Sequence, residues 1–175
     1  MKVVCISAKA RHGKDTFAEM LKEHLETSGN RVLIAHFADL VKYVCEKFFA
    51  WDGVKDEKGR TLLQYVGTDV VRTQRPSYWV DFIVSILQLF PDEWDYVLIP
   101  DCRFPNEFEC FRDANMDAAL IRVHRTNFES DLTPEQANHE SETAMDNYPH
   151  VDIFVDNNGT LQYLSNKAQE IAKSL

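Results

Sequence analysis

The sequence predicts an α/β domain: a central parallel five-stranded sheet flanked by helices. Three observations predict it. Short apolar runs rich in β-branched residues alternate with segments of helical period along the chain. The runs lack polar–apolar alternation, so their strands are buried on both faces. No linker, repeat or composition shift divides the 175 residues, so they form one domain.

Lys2 to Ser7 is the first strand, expected at the centre of the sheet, and Ala8 to Gly13 is a loop. Lys14 to Thr27 is a helix because Phe17, Ala18, Leu21 and Leu25 recur at helical spacing, and Ser28-Gly29-Asn30 ends it. Val32 to Phe37 is a second strand. Leu40 to Phe49 is a helix with Val41, Val44, Cys45, Phe48 and Phe49 on its apolar face. Trp51 to Gly59, charged and punctuated by glycine, reads as a surface excursion. Thr61 to Gln74 and Tyr78 to Phe90 read as helices parted by Arg75-Pro76, since proline disfavours helix just before itself. Tyr96 to Pro100 is a strand, Asn106 to Asn115 a helix and Ala118 to His124 a strand. Residues 126–149 are polar without sustained period and read as a mobile, lid-like segment with room for short helical pieces. Val151 to Val155 is the last strand, Asn157-Asn158-Gly159 a turn and Leu161 to Ser174 the closing helix.

A hydrophobic content of 45 %, with 11 Phe, 6 Tyr and 3 Trp, excludes general disorder. No apolar run approaches the roughly 20 residues that cross a bilayer, and the start is too short for a signal sequence. The four cysteines (Cys5, Cys45, Cys102, Cys110) form no CxxC pair and read as reduced thiols of a cytoplasm. The net charge is −9, and residues 91–158 carry sixteen acids against Arg103, Arg112, Arg122 and Arg125. Such a field argues against general nucleic-acid binding, yet a few arginines can still hold a small anion locally.

The chemistry concentrates in four places. Ala8 to Thr16 lies between the first strand and the first helix, where G-x-x-x-x-G-K-[ST] would form a phosphate loop. Gly13, Lys14 and Thr16 are kept, and Lys14 would reach the β- and γ-phosphates. Ala8 replaces the first glycine, which is tolerable at φ < 0. Asp15 replaces the magnesium-binding hydroxyl, so Thr16, or Asp15 through water, must serve the metal. The bland alternative is a helix that merely begins with lysine and aspartate. Asp101 follows a buried strand, where a carboxylate suits Mg²⁺ directly or through water; helix capping is its bland role. Arg103 is a candidate for transition-state charge, or a simple partner of Glu107. Gln64, Thr68, Asp69, Arg72 and Trp79 form the third group, with Asp69 and Arg72 near one helix face; a surface ion pair beside an aromatic core anchor is their bland role. The fourth is Arg125, opening the lid, with His139 a solvated lid residue and Arg122 structural.

These segments resemble a known family. Gly13-Lys14-Asp15-Thr16, Val66 to Asp69, Tyr78-Trp79-Val80, Asp101 to Glu107, His139 to Glu142 and Asp156 to Leu161 look like bacteriophage-type deoxynucleoside monophosphate kinases, in order along nearly the whole chain. The resemblance implies a P-loop kinase-like fold and Mg²⁺-dependent phosphoryl transfer from ATP to a deoxynucleoside 5′-monophosphate. It implies ATP phosphates on Ala10, Arg11, His12, Gly13, Lys14, Asp15 and Thr16, and Asn158 near adenine. Arg103 and Arg125 would stabilise charge in transfer, Asp101 would place Mg²⁺, and Gln64 to Arg72 would meet the acceptor. Small nucleotides are the expected partners, with no membrane, for a monomer or homodimer. Phosphomevalonate or dephospho-coenzyme A as acceptor, and an ATP-binding regulatory module that transfers nothing, remain as alternatives.

Overall fold

The computed structural model describes residues 1–128 and 132–175. Its strands are β1 (Lys2–Ser7), β2 (Val32–Ile34), β3 (Tyr96–Ile99), β4 (Asp117–His124) and β5 (Ile153–Asp156). The helices are α1 (Lys14–Thr27), α2 (Ala38–Phe49), α3 (Glu57–Gln64), α4 (Tyr78–Leu89), α5 (Pro105–Asp113), α6 (Pro134–Asn138), α7 (Glu140–Thr143) and α8 (Leu161–Ala172), with a π-helical segment at Tyr65–Arg72. All strand pairs are parallel, in the order β2-β3-β1-β4-β5. β1 is central, as the sequence predicts, with Val3, Val4 and Cys5 between Val97, Leu98 and Ile99 on β3 and Ala118, Ala119 and Leu120 on β4.

Alternate residues of β1 feed two cores. Val4 and Ile6 pack with Phe17 and Leu21 of α1 and Leu164 and Ala168 of α8. Val3 and Cys5 belong with Val80 and Leu87 of α4 and Phe108 and Phe111 of α5. A smaller cluster of Val41, Cys45, Val66 and Trp79 joins α2, the π-helical segment and α4. This third cluster is a cap beside the carboxyl edge of the sheet.

Departures from the expected boundaries have local causes. After β2 the Ala35 N–H still donates to Leu98 O at 3.0 Å. The chain then turns, because the Asp101 carboxylate accepts the N–H groups of Phe37 (3.1 Å) and Ala38 (2.9 Å) and so starts α2. The expected surface excursion contains the start of α3, where Asp56 caps by accepting the Gly59 N–H at 2.8 Å. The expected helix from Thr61 to Gln74 is α-helical only to Gln64 and π-helical to Arg72. Among the described residues of 126–149, the short helical pieces allowed for by the sequence are α6, capped by Thr133, and the single turn α7, capped by His139. Among the described residues no helix is long and apolar enough to cross a membrane, and the four cysteines are free thiols.

Phe108 is fully buried between α5 and the sheet and meets Tyr148 edge-to-face. Phe108→Ala is expected to cost about 3–5 kcal/mol in urea unfolding. A loss below about 1 kcal/mol would mean that α5 does not close this core.

Candidate functional site

β1 delivers its loop to the carboxyl end of the central strand, where open parallel sheets bind ligands. α1 starts at Lys14, so its unpaired first-turn N–H groups face the same space. The loop is bent by left-handed residues at Arg11 (φ 60°) and Gly13 (φ 89°), whereas Ala8 is not among the positive-φ residues. Alanine at that position therefore carries no backbone cost. Gly13 is required for space as well as for φ. A Cβ there would come within 2.4 Å of Asn157 Nδ2, which donates to His12 O at 2.9 Å. Lys14 Nζ lies 2.7 Å from each carboxylate oxygen of Asp15.

Beside Lys14 opens a cleft of about 280 Å³ whose walls include Asp15, Gln64, Thr68, Arg72, Trp79, Asp101 and Arg103. Eight of the expected site residues thus share one cavity. Trp79 is buried and donates its indole N–H to Gly67 O at 2.9 Å, which fixes the ring against the cap. Arg72 is not the partner of Asp69. Its Nη2 pairs with Glu107 and its Nη1 donates to Asn106 Oδ1 at 2.7 Å, while the guanidinium lies 3.7 Å from the Phe104 ring centre. The π-helical turn separates the two residues: i→i+5 bonding widens the turn, so positions three apart no longer share a face. Asp69 points outward to His139 Nε2 at 3.0 Å. His139 accepts the Ser141 N–H at Nδ1 (3.2 Å), so its Nε2 carries the proton donated to Asp69.

Arg103 is not paired through its side chain with Glu107. Its guanidinium binds the Glu142 carboxylate and, at 3.0 Å, Ser141 O; only its backbone N–H reaches Glu107, at 2.6 Å. Glu142 also accepts the Ala10 N–H of the loop at 2.9 Å. The segment expected to be a lid is thereby tied to the phosphate loop. Asp146 adds contacts to Lys9 (2.8 Å) and Arg122 (2.9 Å), which gives Arg122 the structural role expected of it.

The remaining candidates lie elsewhere. Thr16 is exposed and lines a surface groove of α1 instead of the cleft. Arg125 sits behind the loop: its N–H donates to His12 Nδ1 at 3.1 Å, and its guanidinium lies 4.9 Å from the Phe128 ring centre. Asn158 accepts the N–H groups of Thr126 (2.9 Å) and Asn127 (3.2 Å) on that same side. Burial, with His124 and Lys9 nearby, lowers the pKa of His12 and favours the neutral ring that accepts from Arg125.

Sequence reasoning missed three contributors. Glu107, at the third position of α5, reaches back to the Phe104 N–H at 3.1 Å, a capping geometry. Its burial pushes the carboxyl pKa up to about 7, against the pull of Arg72. Glu142 is the second. The third is a set of cations, Lys42, Lys55 and Arg60, that join Lys14, Arg72 and Arg103 on the cleft wall against Asp15, Asp101, Glu107 and Glu142. Desolvation, then Lys42 and Lys14, hold the Lys55 pKa below its ordinary value, a crowding of like charge that an anion would relieve. The spacing Asp56-x-x-Gly59 before a helical run was the available signal that Lys55 borders a structured element.

The parallel sheet and the phosphate loop before α1 define a P-loop kinase architecture. Solved structures share it: a gluconokinase from Sinorhizobium meliloti 1021 (TM-score 0.56, 12 % identity, covering 99 % of this chain and 92 % of that one); dephospho-CoA kinase from Campylobacter jejuni (0.53, 14 %, 99 % and 97 %); and shikimate kinase from Aquifex aeolicus (0.53, 11 %, 99 % and 97 %). At these identities the likeness is one of fold. Residues 39–168 match the family model of deoxynucleotide monophosphate kinase, and the chain belongs to that family. It is 31 % identical over 118 residues to the deoxynucleotide monophosphate kinase of Enterobacteria phage T4, an alignment covering 66 % of this chain and 46 % of the phage protein. The chain therefore matches about half the length of that relative. The phosphate loop lies outside the family match and rests on its own geometry.

Gly13→Ala is expected to lower thermal stability by more than about 1 kcal/mol, because it adds φ strain to the Asn157 contact. Combining it with Asn157→Ala should return only part of the loss. An unchanged Tm in Gly13→Ala would contradict the loop geometry.

Proposed function

We propose that this chain transfers the terminal phosphoryl group of ATP to a deoxynucleoside 5′-monophosphate, giving ADP and the deoxynucleoside diphosphate. The observation that carries the reading is the single cleft that joins the phosphate-loop lysine to Arg72, Arg103 and a recess walled by Phe37, Trp79 and Phe104. Family membership supports the same substrate class.

In this reading Ala10 to Thr16 hold the donor phosphates, with Lys14 leaving Asp15 to bridge the β- and γ-phosphates. Arg125 and Asn158 flank the donor from behind the loop. Arg72 takes the acceptor phosphate, while Gln64 and Thr68 offer an amide and a hydroxyl to the base edge; Asp69 acts on this site through His139. An acceptor phosphate oxygen bonds to the γ-phosphorus as the bond to the β–γ bridging oxygen breaks. No base is needed, because a phosphate monoester is largely dianionic at neutral pH. The rate comes from positioning and charge neutralisation, which suits a site rich in arginine and lysine.

The residues fit a magnesium ion carried in with the nucleotide, which needs one or two protein carboxylates beside phosphate oxygens. Asp15 is two-thirds exposed at the head of α1 and supplies one, whereas Thr16 lies in the groove of α1 outside the cleft. Asp101, whose oxygens already accept two N–H groups, would act through water. The ion would supply charge neutralisation between the β- and γ-phosphates. Small nucleotides in a cytoplasm, without nucleic acid or membrane, complete the reading.

ADP release from ATP should be stimulated by at least one of the four dNMPs at millimolar concentration, and by neither phosphomevalonate nor dephospho-coenzyme A. Lys14→Ala should lower kcat/KM by orders of magnitude with Tm nearly unchanged, because its charge acts on the transferring phosphates. Arg72→Ala should raise the acceptor KM at least tenfold and spare the ATP KM, since a lost buried partner costs about 2–5 kcal/mol. Stimulation by one of the other acceptors alone would move the enzyme to another small-molecule kinase class.

A further inference from the structure

The wall of the cleft that would receive an anionic acceptor contains a buried carboxylate. Glu107 lies directly behind Arg72, with both side chains at most 10 % exposed. Its second oxygen is held by the N–H groups of Arg103 and Phe104. Arg72 is fixed as firmly, by Asn106 and by its stacking on Phe104. A phosphate arriving at Arg72 therefore meets a guanidinium already neutralised by Glu107, and the two anions would compete for one cation.

We propose that Glu107 is a positioning residue of the acceptor site that holds Arg72 aimed into the cleft, and that it takes up one proton from solvent when the acceptor phosphate claims that guanidinium. The inference rests on the acceptor reading given above. The proton enters as H⁺ from the buffer and leaves again when the product departs, so the balance of the phosphoryl transfer is untouched.

The surroundings favour that exchange. Burial has already pushed Glu107 up to about 7 with Arg72 in place, and weakening that pull raises it further. Asp101, in the turn after β3, adds repulsion to the ionised form. Cys5 of β1, Cys102 in the same turn and Cys110 of α5 are the other titratable groups around it. A hydrogen bond to Cys5 together with burial holds the Cys102 thiol well above its ordinary value. Burial does the same for Cys110, so neither of these two titrates near neutrality. Arg103 turns its guanidinium away to Glu142 and offers Glu107 only its backbone N–H.

The sign follows from linkage. A complex that binds a proton more tightly than the free protein forms more readily at low pH, so acceptor affinity falls as pH rises through and above 7. The phosphate, with a second pKa near 6, stays dianionic across this window.

The test is calorimetric titration of the full chain with the dNMP that best stimulates ADP release, at pH 7.5 in HEPES and in Tris. The wild type should take up a large fraction of a proton on binding, and its Kd should rise several-fold between pH 7 and pH 9. Glu107→Gln keeps the helix cap, because glutamine serves that position too. It should bind the acceptor with no proton uptake and with a Kd independent of pH over the same range. Acceptor binding by the wild type without proton uptake overturns the inference, whatever the variant does, as does uptake that survives Glu107→Gln. Failure of every dNMP to bind sinks the acceptor reading as well, and so is distinct from loss of the linkage alone.

Discussion

The buried pair of Glu107 with Arg72 is the interaction on which the cleft depends. It joins the turn after β3 and the head of α5 to the cap made by α2, the π-helical segment and α4, a joint that the apolar cluster of Phe37, Val80, Cys102 and Phe108 also spans. Desolvating two charges is costly, and such pairs are weak sources of net stability; removing one partner alone costs about 3–5 kcal/mol. What the pair supplies here is placement. The same turn makes two further grips, Asp101 on the head of α2 and Arg103 on Glu142. Seven residues, Asp101 to Glu107, thus aim a carboxylate or guanidinium at three different elements, and the sheet beneath holds their origin fixed through β3.

Charge is distributed accordingly. The chain is acidic overall, yet its cleft wall carries six Lys and Arg side chains against four Asp and Glu. Several of these cations are held by internal anions: Lys14 by Asp15, Arg72 by Glu107, Arg103 by Glu142. In the proposed reading, a ligand bearing many phosphate charges would meet cations that already hold internal anionic partners. Short-range exchange of partners, more than the long-range field of a chain with net charge −9, governs such binding.

Sequence legibility followed the range of the interactions. The bounds of β1 and α1 were readable because an unbroken apolar run and a Gly13/Ser28 frame are local signals. The central place of β1 was readable because only a strand paired on both edges buries Val3 to Ile6 completely. The start of α3 was missed although Asp56 stood as a cap, because the charged stretch around it concealed the helix. The π-helical phase from Tyr65 to Arg72 was not readable: residue types do not distinguish i→i+4 from i→i+5 bonding, and the shared helix face expected of Asp69 and Arg72 failed with it. Glu107 and Glu142 were hidden for a different reason. Their partners lie 35 residues or more away along the chain, and an acid in the first turn of a helix has an ordinary explanation of its own.

The two departures of the phosphate loop from the usual pattern have different physical standing. Alanine at position 8 changes nothing in the backbone, since the left-handed turns fall at Arg11 and Gly13, and its methyl group packs against the core around Val4 and Ile6. Asp15 alters the chemistry. A serine or threonine there would offer a neutral oxygen to a metal; a carboxylate instead binds Lys14 through both oxygens. Lys14 cannot serve Asp15 and a triphosphate equally, because its three N–H donors point to whichever anion is nearer and more highly charged. In the proposed reading, phosphates that took the ammonium would leave Asp15 at the head of α1 with His36, 4.0 Å away, and Lys55 as its neighbouring bases. A cation arriving with the phosphates would offset the charge those bases leave. On that reading, aspartate at position 15 would make nucleotide binding more dependent on a divalent ion than a hydroxyl would.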